Sequence, residues 1–388
     1  MSGPTAILAL IQERLDLFLN DLTALCSVDC GTDDKEGVDA VGGLVETLLV
    51  ARGFSVERTP GRSTGDILTA RLRGRGDARI LLLGHLDTVY PRGWAAAHPV
   101  SVDSGSDLLR GPGTADMKAG VLAGLYAVEA LREGGADTWG EITVVLNADE
   151  ETGSASSSDL IEREASGCAA ALVLEAGRAN GDIVTTRKGS AVFDLFVQGR
   201  AAHAGVEPEK GRSAVLELAH HIIALHALNG LHPGATVNVG VMEGGTRRNV
   251  VPAEAHALID VRAVDAAGLA ALVAEIKRDA ERRTVPDTTT RLEPGIARPP
   301  LERSAGGDRL AAWYGEAARA LGVSVGEAAT GGGSDGNTTA ALGIATLDGL
   351  GPVGGDAHSP HEWVRVSSIV PRVVMLAGLI SSIAEARS

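Results

Sequence analysis

Five short segments of this chain carry side chains able to hold a metal ion or move a proton. Gly84-His85-Leu86-Asp87-Thr88-Val89 sets an imidazole two residues from a carboxylate. Residues i and i+2 of an extended segment face the same way, so Asp87 can accept the second N–H of His85 and fix its tautomer for metal binding. Gly111-Pro112-Gly113-Thr114-Ala115-Asp116 is a glycine-rich turn with Asp116 at the mouth of a helical pattern. Asp149-Glu150-Glu151-Thr152-Gly153 places neighbouring carboxylates directly after an apolar run. Neighbours in extended backbone point oppositely, so one can ligate metal while the other handles protons. Glu175 follows the run at residues 170–174, and His358 sits in Gly354-Gly355-Asp356-Ala357-His358-Ser359-Pro360.

Each segment alone has a bland reading. A His beside an Asp is more often an ordinary pair, Asp116 is placed to cap a helix, and an acidic loop is usually solvated, a reading that suits Asp149 best. Together His85, Asp116, Glu151, Glu175 and His358 supply two imidazoles and three carboxylates, the nitrogen and oxygen set that suits a pair of Zn²⁺ ions. Asp116 is the candidate bridge between two ions about 3.5–4 Å apart.

The elements that must position these residues follow from the hydrophobic pattern. Residues 7–25 and 36–52 repeat at helical spacing, with Gly53 at a stop, so two helices precede a first strand at Ile80–Leu83. Strands at Ile142–Asn147 and Ala171–Leu174 alternate with helices around Met117–Leu131 and Ser158–Arg163. Short continuous apolar runs between helices read as buried parallel strands of an α/β sheet, and such sheets place their sites at the strand ends. After residue 186 the order becomes β-α-β-β-α-β, with strands 190–198, 235–242, 254–263 and 287–293 and helices 211–228 and 267–282. That is a ferredoxin-like α+β insertion. The α/β pattern resumes near Trp313 and ends in a helix at 367–385, which gives two domains, 1–186 with 298–388, and 187–297.

Composition removes several classes of function. Acidic residues outnumber basic ones by 50 − 35 = 15 among 388 residues, which disfavours nucleic acid and anionic membranes as partners. No run of ~20 apolar residues exists by this reading, which excludes a membrane span. Three cysteines, Cys26, Cys30 and Cys168, make no disulfide framework and point to a reducing, cytoplasmic compartment, and the N-terminus lacks the basic region of a signal peptide. No G-x-G-x-x-G follows the first strand, and Gly331-Gly332-Gly333 lacks the Lys-Ser/Thr of a phosphate loop; it is better suited to backbone contact with a substrate carboxylate. His220, His221 and His226 do not have the i, i+4 zinc spacing, and His256 on an alternating strand reads as structural.

The motifs GHLDTV, GPGTADMKAG, NADEETGS, LEAG, GRAAHAG, RRNVVPAEA, DVRA, TGGGSDG and GDAHSPHE span nearly the whole chain. Their order and spacing resemble the dizinc metallopeptidase family of bacterial glutamate carboxypeptidase, aminoacylase and succinyl-diaminopimelate desuccinylase. Within it the resemblance is closest to glutamate carboxypeptidase, through HLDTVYPRG, the serine-rich spacing after the acidic pair, and TGGGSDG. The resemblance implies a zinc-peptidase-like catalytic domain with an inserted dimerisation or lid domain, in a homodimer. It implies two Zn²⁺ per chain, with Co²⁺ or Mn²⁺ as substitutes: His85 and Glu175 on one, Glu151 and His358 on the other, and Asp116 between them. Glu150 becomes the general base and acid, and Asp87 the group that orients His85. His203, in Ala201-Ala202-His203-Ala204-Gly205, reaches the partner subunit's site to polarise the scissile carbonyl, while Asn249 and Arg262 line the substrate site. A cis peptide is implied at Asp116–Met117, although Met117 stands where glutamate carboxypeptidase has a second Asp. The expected substrate is a peptide or N-acyl amino acid with a free α-carboxylate, C-terminal glutamate being one candidate. The alternatives are an aminoacylase or N-carbamoyl amino acid hydrolase and, from another class, a non-catalytic metal-binding scaffold.

Overall fold

The computed structural model describes residues 4–103 and 105–386, so Met1–Gly3 of the N-terminal reading lie outside the described residues. The chain divides into two compact units. One runs to Thr186 and takes in Arg303–Thr330 and the segment from Ser334 onward; the other comprises Arg187–Glu302 and Gly331–Gly333.

The first unit is built on a six-stranded sheet in the order Ser55–Thr59, Ile67–Arg73, Glu141–Asn147, Arg79–His85, Ala170–Val173, Thr346–Leu347. The strands from Glu141–Asn147 onward are parallel, while the first two pair antiparallel. The run Ile80–Leu83 is continuous because both faces of its strand are covered. Ile80 and Leu82 join the core that includes helices Ala119–Glu133 and Val366–Glu385, whereas Leu81 and Leu83 join Leu160, Ile161 and Ala165 of helix Ser158–Ala165.

Three expectations need correction here. The helical stretch at 7–25 is two helices, Pro4–Glu13 and Leu15–Cys26, broken at Arg14 where φ and ψ are −100° and 6°. Strands Ser55–Thr59 and Ile67–Arg73 precede the expected first strand. The former is a partly exposed sheet edge and the latter mixes Thr, Ala and Arg with its apolar residues, so neither has a continuous apolar run. Helix Val366–Glu385 is long and apolar enough, by length and composition, to cross a membrane, which the Pro371-Arg372 interruption obscured. Its Ile369, Val373, Leu376, Leu379 and Ile380 are buried in the first unit's core, the position of a core helix.

The second unit has an antiparallel four-stranded sheet in the order Thr236–Gly244, Glu254–Ala263, Gly189–Gln198, Thr289–Arg298, the ferredoxin-like arrangement. Phe193, Leu195, Val197, Ala257, Ile259 and Val261 pack with Leu218 and Leu225 of helix Ala214–His226 and Leu272 and Ile276 of helix Ala266–Ala280. The alternate residues, including Asp194, Asp260 and Arg262, occupy the opposite face.

At Gly120, helix Ala119–Glu133 comes close to the main chain just past strand Ala170–Val173. A Cβ there would lie 1.7 Å from the carbonyl oxygen of Leu174, the residue before Glu175. Ala is worth up to about 1 kcal/mol over Gly in a helix interior, but an unrelieved backbone clash of this kind costs more. Gly120→Ala is therefore expected to lower the urea midpoint, with a net loss of about 1–3 kcal/mol; an unchanged or higher midpoint would show that the helix can retreat from Leu174.

Candidate metal centre

His85 ends strand Arg79–His85 level with Asn147 of the neighbouring parallel strand. Its Nδ1 lies 2.9 Å from the Asp87 main-chain oxygen and 3.4 Å from Asp87 Oδ1. The nearer partner is thus the carbonyl and not the carboxylate, because the chain leaves the strand at Leu86, whose N–H bonds to the Asn147 oxygen. Since a carbonyl only accepts, Nδ1 carries the hydrogen and Nε2 of the neutral ring offers its lone pair. The Asp87 carboxylate accepts from Thr32 Oγ1 (2.7 Å) and from the N–H groups of Glu150 (3.3 Å) and Glu151 (3.2 Å). Asp87 therefore orients the imidazole through its backbone and the acidic pair through its side chain.

Asp116 sits in a non-helical break at the start of helix Ala119–Glu133, with φ −116° and ψ 90°, and the Asp116–Met117 peptide is cis. Its carboxylate makes no helix cap. Asp116 Oδ1 is 3.1 Å from His85 Nε2, and Asp116 Oδ2 is 3.2 Å from His358 Nε2. Glu175 Oε1 lies 3.8 Å from His85 Nε2, and Glu151 Oε2 lies 3.0 Å from His358 Nε2. The donors form two groups, His85 with Asp116 and Glu175, and Asp116 with Glu151 and His358. A tetrahedral zinc site with bonds of about 2.0–2.1 Å has ligand atoms about 3.3 Å apart, so these separations fit one ion in each group.

The electrostatics have the same origin. Burial disfavours the His85 cation, but Asp116 and Asp87 outweigh it and raise its pKa well above the ordinary imidazole value. His358 is pushed up to about 10 by its bonds to Asp116 and Glu151. Burial would raise Asp116, yet the two imidazoles hold it well below the usual carboxylate range; Glu151 is raised, chiefly by burial. Acidic groups this close need positive charge among them, and without metal protons provide it.

The acidic pair is placed differently from the expectation. Glu150–Thr152 is a single 3₁₀ turn, so the two side chains diverge by helical rotation and not by strand alternation. Asp149 is not solvated. It is 3% exposed and its carboxylate accepts from Ser156 N, Ser156 Oγ and Ser157 Oγ. Asn147 Nδ2 bonds to Ser157 Oγ and to Asp335 Oδ2, which ties the TGGGSDG segment to the same strand end. Sequence reading missed Thr32, Asp335 and Glu362 as parts of the site. Glu362 was visible only as the last residue of GDAHSPHE, where nothing local distinguishes it.

The structure brings the five ligand candidates and the Glu150 turn together in the first unit. His203, Asn249 and Arg262 belong to the second. There His203 pairs with Val250 across an isolated bridge, and the Asn249 carbonyl accepts from Ala204 N, so His203 and Asn249 lie side by side on exposed loops. Gly205 N–H donates to His203 Nδ1, which leaves the hydrogen of the neutral ring on Nε2. Arg262 is engaged: its Nε and second terminal nitrogen bind Asp260, and its first terminal nitrogen donates to the Gly331 oxygen.

The sequence model of Peptidase family M20/M25/M40 matches residues 81–382. The chain belongs to this family. It is a metallopeptidase or amidohydrolase, and the family resemblance read from its motifs stands. Carboxypeptidase G2 of Pseudomonas sp. (strain RS-16) is 33% identical over 370 residues, 93% of this chain and 88% of that protein. Succinyl-diaminopimelate desuccinylase of Afipia carboxidovorans is 30% identical over 273 residues, 65% of this chain and 70% of that protein. The aminopeptidase PepT of Bacillus cereus superposes with a TM-score of 0.80 at 26% identity, covering 96% of this chain and 99% of that one. The α/β fold with an inserted α+β unit is that of these M20 relatives.

Metal binding must displace protons from this centre. With its pKa near 10, His358 is protonated at neutral pH in the metal-free protein. Apparent affinity for a divalent cation should rise with pH across the neutral range, and calorimetric titration at pH 7 in two buffers of different ionisation enthalpy should record proton release. Zero release would mean that the imidazole is already bare. The sign for the metal-free fold is opposite, since a raised imidazole pKa contributes stability that is complete below 6.5 and lost as pH rises through about 10.

Proposed function

We propose that the chain is a dinuclear zinc carboxypeptidase that hydrolyses the amide bond of a C-terminal residue, or of an N-acyl amino acid, with a free α-carboxylate. The observation that carries this reading is the division of five donors into two groups of three that share Asp116, with Glu150 on the turn beside the ligand candidate Glu151. His85 and Glu175 would hold one ion, Glu151 and His358 the other, and Asp116 both. The bound ions would supply Lewis acidity toward the scissile carbonyl and an acidified water. Glu150 accepts a proton from the attacking water and passes it to the leaving amine. His203 donates its Nε2–H to the carbonyl oxygen as negative charge develops there, from the partner subunit of a homodimer.

The similarity to carboxypeptidase G2 favours a substrate carboxylate, and Arg262 with Asn249 is our candidate anchor for it. A guanidinium fork matches a carboxylate in two hydrogen bonds. The substrate must displace Asp260, but both members of that pair are more than a third exposed, and such pairs contribute only about 0–1 kcal/mol. C-terminal glutamate remains one candidate. An aminoacylase or N-carbamoyl amino acid hydrolase would use the same centre and is separated by a panel of peptides, N-acyl and N-carbamoyl amino acids. The buried, unpaired Cys26, Cys30 and Cys168 agree with a cytoplasmic protein.

Glu150→Gln is expected to bind metal as the parent does and to lose about 10²–10⁴ in kcat, the range for removal of a general acid–base group. If it loses metal while Glu151→Gln keeps it, the two roles are exchanged. Arg262→Lys should lower kcat/KM strongly for free-acid substrates and much less for the corresponding amides. Equal losses on both would assign Arg262 to structure through Asp260 and Gly331.

A further inference from the structure

Glu362 is 2% exposed, and its carboxylate is surrounded by four donors. Oε1 accepts from the main-chain N–H groups of Ala115 (2.8 Å) and Asp116 (2.9 Å), and Oε2 from Gly113 N–H (2.9 Å) and the Tyr90 hydroxyl (2.7 Å). These fill the roughly four lone-pair positions a carboxylate offers. The three amides converge because the backbone between Gly113 and Met117 departs from helix, and successive N–H groups turned to one point form an anion-holding concavity. The main chain of Glu362 is tied in as well: its N–H donates to the Ser359 oxygen and its carbonyl accepts from Gly111 N–H. The Tyr90 hydroxyl also lies 2.9 Å from the Ser359 oxygen. Three segments that carry candidate ligands, 85–90, 113–116 and 358–362, thus meet at one buried carboxylate.

We infer that Glu362 is a positioning residue of the metal centre. It fixes the Asp116 main chain so that one carboxylate oxygen faces each ligand set, and Tyr90 holds Glu362 in place. Neither residue belongs to the two donor groups; both act through Asp116. Neutral Gln has the same shape but only one acceptor oxygen, so its NH₂ must oppose N–H donors that now have an acceptor. The inference rests on the dinuclear reading above.

The test titrates the full metal-free chain with Co²⁺, by calorimetry and by visible absorption, for the parent, Glu362→Gln and Tyr90→Phe. With a parent that holds two ions per chain, Glu362→Gln should weaken Co²⁺ binding about 10–100-fold, the usual effect of losing a group that orients a ligand. It should also change the Co²⁺ absorption bands, and Tyr90→Phe should change them in the same sense with a smaller loss of affinity. A lowered melting temperature with unchanged affinity and bands would overturn the inference, because it would make Glu362 a structural group only. If Glu362→Gln does not fold, Tyr90→Phe decides alone, and unchanged bands in it count against the inference. A parent that takes up fewer than two ions overturns the dinuclear reading itself, and the positioning role with it.

Discussion

The first unit is organised around an electrostatic constraint at Asp116. One carboxylate faces His85 through one oxygen and His358 through the other, while Glu151 and Glu175 approach the same imidazoles from outside. Three carboxylates in so small a volume repel one another unless positive charge lies among them. The raised imidazole pKa values show that protons can supply that charge, and the donor spacing shows that divalent cations fit in their place.

Holding mutually repelling groups at fixed separations requires rigid supports. His85 and the Asp149-Glu150-Glu151 turn leave adjacent parallel strands that end level, and Glu175 follows the strand on the other side of His85. Each strand is anchored by residues buried on both faces, so the ends cannot drift apart without opening the core. His358 has no strand beneath it. It lies on a loop at φ 62°, a left-handed conformation uncommon for non-glycine residues, and the Tyr90–Glu362 connection ties that loop to the rest.

The supporting hydrogen bonds run largely from main-chain N–H groups to side-chain carboxylates. Asp87 accepts from the amides of Glu150 and Glu151, Glu362 from those of Gly113, Ala115 and Asp116, and Asp149 from Ser156. Buried carboxylates are costly unless their lone pairs are satisfied, and here backbone donors satisfy them without consuming the charges of the two donor groups around Asp116. The same acids that cost desolvation therefore order the loops that carry the candidate ligands.

Much of this was legible in the primary structure. Continuous apolar runs marked Ile80–Leu83 and Ile142–Asn147 as buried strands, alternation marked the ferredoxin-like insertion, and three of the five ligand candidates, His85, Glu151 and Glu175, stood just beyond such runs. Such features depend on residue type and local period, which a chain carries regardless of its partners. The edge strand Ser55–Thr59, the break at Arg14 and the core placement of Val366–Glu385 depended on what packs against them, and no local pattern encodes that. The same limit applied within the site. Nothing in GDAHSPHE separates Glu362 from a solvated acid, nothing in NADEETGS separates buried Asp149 from its neighbours, and the pairing of Arg262 with Asp260 and Gly331 joins residues up to 69 positions apart. Residue identity set which chemistry was available; only tertiary contact decided which acids are buried, which amides satisfy them and which oxygen of Asp116 faces which imidazole, because those choices are made by groups distant in the chain.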